Sequence, residues 1–208
     1  MTDASEDADT TALRRPLRLL GLAAFASMAA MRWCDSLLPL LAAEFGASTG
    51  QAAQTVSAFA LAYGLMQFVV GPLGDRRGKL RVVSLAAVVC MLGALASAAA
   101  PSLAWLTVAR AATGGAAAAV VPLTFAWIGD RVPIAQRQAV LARMLGATIT
   151  GMIAGQWLAG VFADRMGWRA GFVVLAAGFG VAALALRWNL ARGLADAPAA
   201  SLLSPLRQ

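Results

Sequence analysis

Histidine is absent from this sequence of 208 residues, and cysteine occurs only twice. Without an imidazole group, hydrolysis by a histidine base, histidine-dependent intramembrane proteolysis and most zinc sites are excluded. Cys34 and Cys90 each lie inside a long apolar run and have no CxxC spacing, so neither a disulfide framework nor a metal cluster is expected. We therefore expect no metal, no cofactor and no enzymatic activity.

Charged residues are also scarce, at 13% of the chain, whereas 60% of the residues are hydrophobic. A soluble globule of this size needs more polar side chains to cover its surface, so the composition indicates a membrane protein. The net charge of +7 does not indicate binding to nucleic acid, because the cations form short clusters between apolar runs and not one solvated face.

Six apolar runs are long enough to cross a bilayer, since about 20 helical residues span a hydrocarbon core of ~30 Å. Of the 17 Lys and Arg residues, thirteen lie on one side of these runs and two on the other. This bias predicts a protein of the inner cell membrane with both termini in the cytoplasm. We expect a disordered cytoplasmic tail at residues 1–16, a six-span bundle at 17–190 and the start of a cytoplasmic linker at 191–208. The spans are predicted at residues 17–43, 51–72, 80–99, 102–128, 136–162 and 170–188.

Residues 71–81 (GPLGDRRGKLR) separate the second and third apolar runs. The proline and the first glycine are expected to break the helix there, and Gly78 can adopt backbone angles that are closed to other residues. Four cations hold the segment on the cytoplasmic side. The pattern predicts a tight turn at the membrane surface, and the alternative is a glycine-rich loop that merely follows the positive-inside rule.

This turn resembles the signature G-x-L-a-D-r-x-G-r-k/r, which joins the second and third transmembrane helices in the major facilitator superfamily. The typed positions of the signature are filled by Gly71, Leu73, Asp75, Arg76, Gly78 and Lys79. The resemblance implies that the turn is a conformational switch. The loops after spans two and four lie on the same side, so an ion-pair network is expected among Asp75, Arg76, Asp130 and Arg137.

One string recurs within the chain. The pattern Gly-x-x-x-Asp-Arg-x-Gly occurs at residues 71–78 and again at 160–167, displaced by 89 residues. Each copy ends the second span of a three-span unit, and an odd number of spans per unit reverses the orientation of the second copy. The sequence therefore predicts an all-α membrane protein with six transmembrane helices in two inverted three-helix repeats, which is half of the fold that the resemblance implies.

Three charged residues stand out inside the predicted spans, away from their cytoplasmic ends: Arg32, Asp35 and Arg110. Arg32 and Asp35 share a helix face, and Asp35 and Arg110 both lie ~12–14 Å below the outer surface at ~1.5 Å per residue, so we expect them to meet. A charge in hydrocarbon costs several kcal/mol and commonly marks a transport pathway. The alternative is a neutralised triad that only clamps spans one and four together.

The resemblance also implies a role for these charges, because the first and fourth spans line the central cavity in the superfamily. Arg110 in the segment VARAATGG (residues 108–115) resembles a fourth-span arginine motif that is linked to proton coupling. Three more residues are predicted on the substrate or proton pathway: Gln67, Gln156 and Trp157. For these three, interhelical hydrogen bonds and an interfacial aromatic are equally open.

These features predict the N-terminal half of a secondary active transporter that exports or takes up a small molecule and is coupled to protons. The expected partners are the lipid bilayer, a small-molecule substrate, protons and a second six-span half, either a separate chain or a second copy. A second copy would set four arginines against two aspartates, which favours a different chain. The alternatives are a truncated fragment without transport activity and a six-span subunit for assembly or partner binding.

Overall fold

The structure is a computed structural model that describes residues 3–191, with side chains from Leu13 onward. The described residues are almost entirely helical and contain no strand. Six helical segments are long and apolar enough to cross a membrane, which confirms the predicted six-span all-α class. The predicted linker beyond residue 191 lies outside the described residues. Spans one to six are Leu13–Glu44, Thr49–Arg77, Lys79–Ala98, Leu103–Arg131, Ile134–Met166 and Trp168–Ala191.

Three of the spans consist of more than one helical segment, and the other three are continuous. Span one joins α1 to α2 through a 3₁₀ turn, span two joins a short α3 to α4, and span four joins α6 to α7. The bounds are α1 Asp3–Arg32, the 3₁₀ turn Asp35–Leu37, α2 Leu38–Glu44, α3 Thr49–Ala52, α4 Gln54–Arg77, α5 Lys79–Ala98, α6 Leu103–Ala117, α7 Val120–Arg131, α8 Ile134–Met166 and α9 Trp168–Ala191.

The first helix begins at Asp3, so most of the tail that was predicted to be disordered, residues 1–16, is helical. The first two turns of the helix contain four acidic residues. Negative charge near the N-terminus of a helix interacts favourably with the helix dipole. This favourable interaction stabilises a helix in a segment whose polar composition had indicated disorder.

The interruptions of spans one and four were not predicted, and each is followed by a proline. Pro39 lies at the start of α2 and Pro122 at the start of α7. The proline ring clashes with the carbonyl group four residues earlier and supplies no N–H to it. Those carbonyl groups belong to Asp35 and Ala118, and both residues lie in the breaks.

Two hairpin turns are each made by one glycine with a positive φ angle. Gly78 joins spans two and three with φ 87° and ψ 125°, and Gly167 joins spans five and six with φ 84° and ψ 148°. Residues with a Cβ atom rarely adopt these angles. The two glycines are 89 residues apart and share one conformation at equivalent span ends, as the inverted repeat predicts.

The turn between spans two and three, here called the inner turn because it is predicted to face the cytoplasm, is shorter than predicted. Helix α4 continues through Gly71 and Pro72 as far as Arg77, although the glycine and the proline were expected to end it. Pro72 removes one helical hydrogen bond, which would join its nitrogen to the carbonyl group of Phe68. The next turn of the helix still closes, because the Gly78 N–H donates to the Gly74 carbonyl group at 3.0 Å.

The six spans form two layers. Spans two, four, one and five lie side by side in this order as the front layer, and spans three and six pack behind them. The repeat is visible in this packing, because span one packs on span five as span four packs on span two. Only 17% of the most apolar stretch of span two and 22% of that of span five are buried, compared with 50–56% in the other spans. Spans two and five are therefore the edges of the front layer.

Glycines allow the front-layer helices to cross closely. A Cβ atom added at Gly155 of span five would lie 2.4 Å from the carbonyl oxygen of Ala29 in span one. A Cβ atom added at Gly114 of span four would lie 2.3 Å from the carbonyl oxygen of Phe59 in span two. Such short interaxial distances need residues without side chains at the crossing point.

Candidate functional site

The intramembrane charge cluster, defined as Arg32, Asp35 and Arg110, lies around the break in span one and on span four. Arg32 ends α1 and Asp35 begins the 3₁₀ turn. The Arg32 Nε atom contacts Asp35 Oδ2 at 3.0 Å, and the two side chains are 48% and 17% exposed. The second carboxylate oxygen, Asp35 Oδ1, is buried and accepts no hydrogen bond within the described part of the chain.

Arg110 is the most deeply buried charge of the cluster, with 1% of its surface exposed. Its guanidinium group lies over the ring of Phe59, with Cζ 4.3 Å from the ring centroid. None of its three nitrogens donates a hydrogen bond to a residue that the structure describes. A desolvated cation–π contact is worth about 2 kcal/mol, which is less than the cost of burying an unpaired charge. The guanidinium group can therefore bind an anionic group that reaches it.

The structure does not bring Asp35 and Arg110 into contact, so the predicted meeting of the three charges is wrong for this pair. No ion pair joins them among the described residues. Asp35 pairs with Arg32 on span one, whereas the Arg110 guanidinium group lies over Phe59 of span two. Residue counting gives position along a helix axis but not direction around it, and Arg110 faces span two.

The other predicted pathway residues lie on the edge spans. Gln67 of span two and Gln156 of span five are exposed, and Trp157 is 66% exposed. The Gln156 carbonyl oxygen accepts a hydrogen bond from Ser36 Oγ at 2.9 Å, one residue after Asp35. In the described structure no hydrogen bond joins the side chains of these three residues to the charge cluster, so their roles stay predictions.

The inner turn carries an ion-pair network, with Lys79 at its centre. Lys79 Nζ lies 3.4 Å from Asp75 Oδ1 and also binds Asp130 Oδ2. The predicted involvement of Asp75 and Asp130 agrees with these contacts. Lys79 thereby joins the turn after span two to the inner end of span four.

The two arginines that were predicted in this network are not part of it. Arg137 donates from Nε and Nη2 to the Val132 carbonyl oxygen at 3.3 and 3.2 Å, and so closes the loop between spans four and five. Arg76 is exposed and forms no ion pair with a described residue. Lys79 lies in the first turn of α5, within reach of both acids, whereas Arg76 precedes the turn.

Replacing Lys79 with glutamine is expected to lower the unfolding free energy by about 1 kcal/mol, since both acids are half or more exposed and such pairs are weak. The loss should shrink in high salt, which screens surface charges. Thermal unfolding of the detergent-solubilised chain at low and high salt measures it. Arg76→Gln is the matched control and should leave the midpoint unchanged; an equal loss in both variants would contradict the central role of Lys79.

An outer clamp, made of Glu44, Trp168, Arg169 and Ala100, was missed from the sequence. Glu44 accepts hydrogen bonds from Trp168 Nε1 and Arg169 Nη1, and Arg169 Nη2 donates to the Ala100 carbonyl oxygen at 3.1 Å. The guanidinium group also lies 4.3 Å from the ring of Trp168. The clamp ties the outer ends of spans one, three and six. The sequence contained one signal for this clamp, which is an isolated acidic residue, Glu44, after span one and a cation, Arg169, at the start of span six.

A family model, described as the Major Facilitator Superfamily, matches residues 20–206. The uncharacterized MFS-type transporter YceJ of Bacillus subtilis is 32% identical over 144 residues, which are 68% of this chain and 36% of that protein. The fatty acid resistance protein FarB of Neisseria gonorrhoeae is 28% identical over 145 residues, 68% of this chain and 29% of that protein. The multidrug resistance protein Stp of Mycobacterium tuberculosis is 30% identical over 138 residues, 66% of this chain and 26% of that protein. The chain thus spans about a third of the length of the relatives it matches.

Solved structures give the same fold. A bacterial homologue of the human lysosomal transporter Spinster, in an inward-facing and occupied conformation, superposes with a TM-score of 0.75 at 20% identity and covers 83% of this chain and 43% of that one. A peptide transporter, POT, in complex with sulfate gives a TM-score of 0.73 at 19% identity, covering 86% of this chain and 38% of that one. Together with the family model, the six-span architecture and the inner-turn signature lead to one assignment. The chain belongs to the Major Facilitator Superfamily.

Proposed function

We propose that this chain forms the N-terminal half of a secondary active transporter that moves a small molecule across a membrane in a proton-coupled cycle. The observation that carries the proposal is Arg110, a buried cation without a hydrogen-bond partner among the described residues. Its span packs against span one, whose helix is broken at an acidic residue, Asp35. Unpaired charge inside a membrane is costly and is retained for function.

The chemistry of the cluster suits a proton-linked cycle. Arginine stays charged at all physiological pH values, whereas a carboxylate can gain and lose a proton. Protonation of Asp35 would remove the negative partner of Arg32, which is half-exposed and could then bind an anionic group of the substrate. Broken helices supply free backbone groups for the same purpose, and the break in span one lies at Asp35.

A second six-span half would cover the exposed edges of the front layer. Span two carries exposed Leu61, Leu65 and Phe68, and span five carries exposed Ile153 and Trp157. The chain covers only 43% of the first solved structure and about a third of its relatives, so those proteins contain as much again. A different chain or segment fits better than a second copy, because a copy would set like charges opposite each other.

The membrane orientation that we propose places the N-terminus in the cytoplasm and the protein in the inner cell membrane. The bias of Lys and Arg supports it, since positive residues concentrate in cytoplasmic loops. Two relatives are named for resistance to fatty acids and to drugs. Lipophilic compounds are therefore the first substrates to test, and export is the first direction.

The expected effect of Asp35→Asn is a fall of at least tenfold in substrate-dependent proton flux, because an amide cannot bind and release a proton at this position. The flux is measured with a pH-sensitive dye in liposomes containing the chain alone or joined to the C-terminal half of YceJ. Asp164→Asn removes an exposed acid at the outer end of span five and should leave the flux unchanged.

The proposal fails if Asp35→Asn retains full coupled flux in a preparation that transports. It also fails if neither preparation moves any substrate from a lipophilic and peptide panel, in which case a non-transporting membrane subunit is the better assignment. Protein amount and the thermal midpoint of each variant are recorded alongside, so that loss of transport is not confused with loss of folded protein.

A further inference from the structure

A groove of about 550 Å³ opens between the inner ends of spans one and five. Arg14 and Arg18 line it one turn apart on span one, and Arg143 lines it from span five. From Leu13 onward, where the structure describes side chains, no acidic residue lines the groove. None of the three arginines forms an ion pair with any side chain that the structure describes, so three positive charges are concentrated at the groove with no described acid paired to them.

The three arginines lie at the level of the lipid headgroups. The 20 residues that follow Arg143, residues 144–163, include no charged residue, and residues 19–31, after Arg18, include none either. About 20 helical residues cross the hydrocarbon core, so the three guanidinium groups lie at its border. Cations at this depth meet the anionic lipids of the leaflet.

The wall below the arginines is apolar. Gly21 of span one and Met144 and Ala147 of span five line the groove deeper in the membrane than Arg18 and Arg143. An inorganic anion would make no use of this apolar surface, whereas a lipid would place its headgroup among the arginines and the first part of an acyl chain against Met144 and Ala147.

We propose that the groove binds the phosphate headgroup of an anionic phospholipid and thereby holds the inner ends of spans one and five together. The guanidinium group binds phosphate with paired hydrogen bonds, and basic pockets between transmembrane helices bind anionic headgroups. The close crossing of these two spans lies further out, at Gly151 and Gly155. The lipid bridges the helices where they diverge.

The test uses the full 208-residue chain, titrated with phosphatidylglycerol in a zwitterionic background and followed by native mass spectrometry. The triple variant Arg14→Gln, Arg18→Gln and Arg143→Gln should bind the lipid about a hundredfold more weakly, because each cation near the membrane surface contributes about fivefold to the affinity. Arg15→Gln is the matched control, because Arg15 is the exposed neighbour of Arg14 and does not line the groove. It should change the affinity less than twofold.

Two further arms separate other occupants from the lipid. Inorganic phosphate at millimolar concentration should not displace phosphatidylglycerol; if it does so as well as the lipid itself, the site takes a free anion and the proposal is overturned. Amide replacements of the four acidic residues before Thr10 should leave lipid binding unchanged. Lipid binding that appears only after those replacements would mean that the acidic segment occupies the groove, and it would overturn the proposal. A folded triple variant that binds the lipid as tightly as the parent chain would overturn it as well.

Discussion

Replacing Gly155 with alanine is expected to lower the unfolding free energy by about 3 kcal/mol, the upper part of the range for overpacked sites. The added Cβ atom would lie 2.4, 2.5 and 2.8 Å from the O, Cα and C atoms of Ala29. These are backbone atoms, so no side-chain rotation can relieve the overlap. Spans one and five must separate, and the hydrogen bond from Ser36 to the Gln156 carbonyl group should lengthen or break.

The matched control for this change is Gly146→Ala on the same helix. A Cβ atom at Gly146 meets no other atom within 4 Å, and alanine favours a helix by about 1 kcal/mol relative to glycine. Its thermal midpoint should equal or exceed that of the parent chain. Tryptophan fluorescence during heating in detergent measures both variants. Equal midpoints for the two would show that the helix crossing at Gly155 is looser than the structure indicates.

The number of spans and the repeat were accessible from the sequence because each depends on a local pattern. A run of about 20 apolar residues must be a helix in hydrocarbon, and this gave all six spans. The repeat was visible as two short strings. Their last glycines, Gly78 and Gly167, have nearly the same backbone angles, because a hairpin between two antiparallel helices needs a residue without a Cβ atom at that point.

The breaks in spans one and four were not predicted, although their cause is in the sequence. The mean hydropathy of a sequence window does not report a missing backbone hydrogen bond. Pro39 and Pro122 were therefore interpreted as ordinary residues of the apolar runs. Their effect acts four residues upstream, at Asp35 and Ala118. A search for prolines inside predicted spans would have placed both interruptions within a turn of their observed positions.

The site was predictable in composition but not in contacts. Depth in the membrane follows from residue counting, and Arg32 and Asp35 pair as their spacing required. The direction of Arg110 depends on how span four is rotated against span two, which is set by the close approach of Gly114 to Phe59. Such tertiary packing leaves no trace in a single sequence. The same holds for Lys79, which was recognised as part of a signature but not as the centre of the inner network.

Replacing Arg110 with methionine should abolish coupled transport and leave the unfolding free energy within about 1 kcal/mol of the parent, or raise it. A buried charge without a hydrogen-bond partner contributes little to stability, and apolar replacements of buried ionic groups are often neutral or stabilising. The loss of the contact with Phe59 costs about 2 kcal/mol, which the removal of a desolvated charge offsets.

The measurement pairs thermal unfolding with proton flux in the same liposome preparation used for Asp35. Arg165→Met, at an exposed outer position, is the matched control and should change neither quantity. Transport should fall at least tenfold in Arg110→Met, because the only buried guanidinium group among the described residues is then missing from the pathway. If Arg110→Met instead unfolds the chain, by more than about 2 kcal/mol, Arg110 is a structural clamp between spans two and four. In that case Asp35 and Arg32 alone carry the proposed cycle.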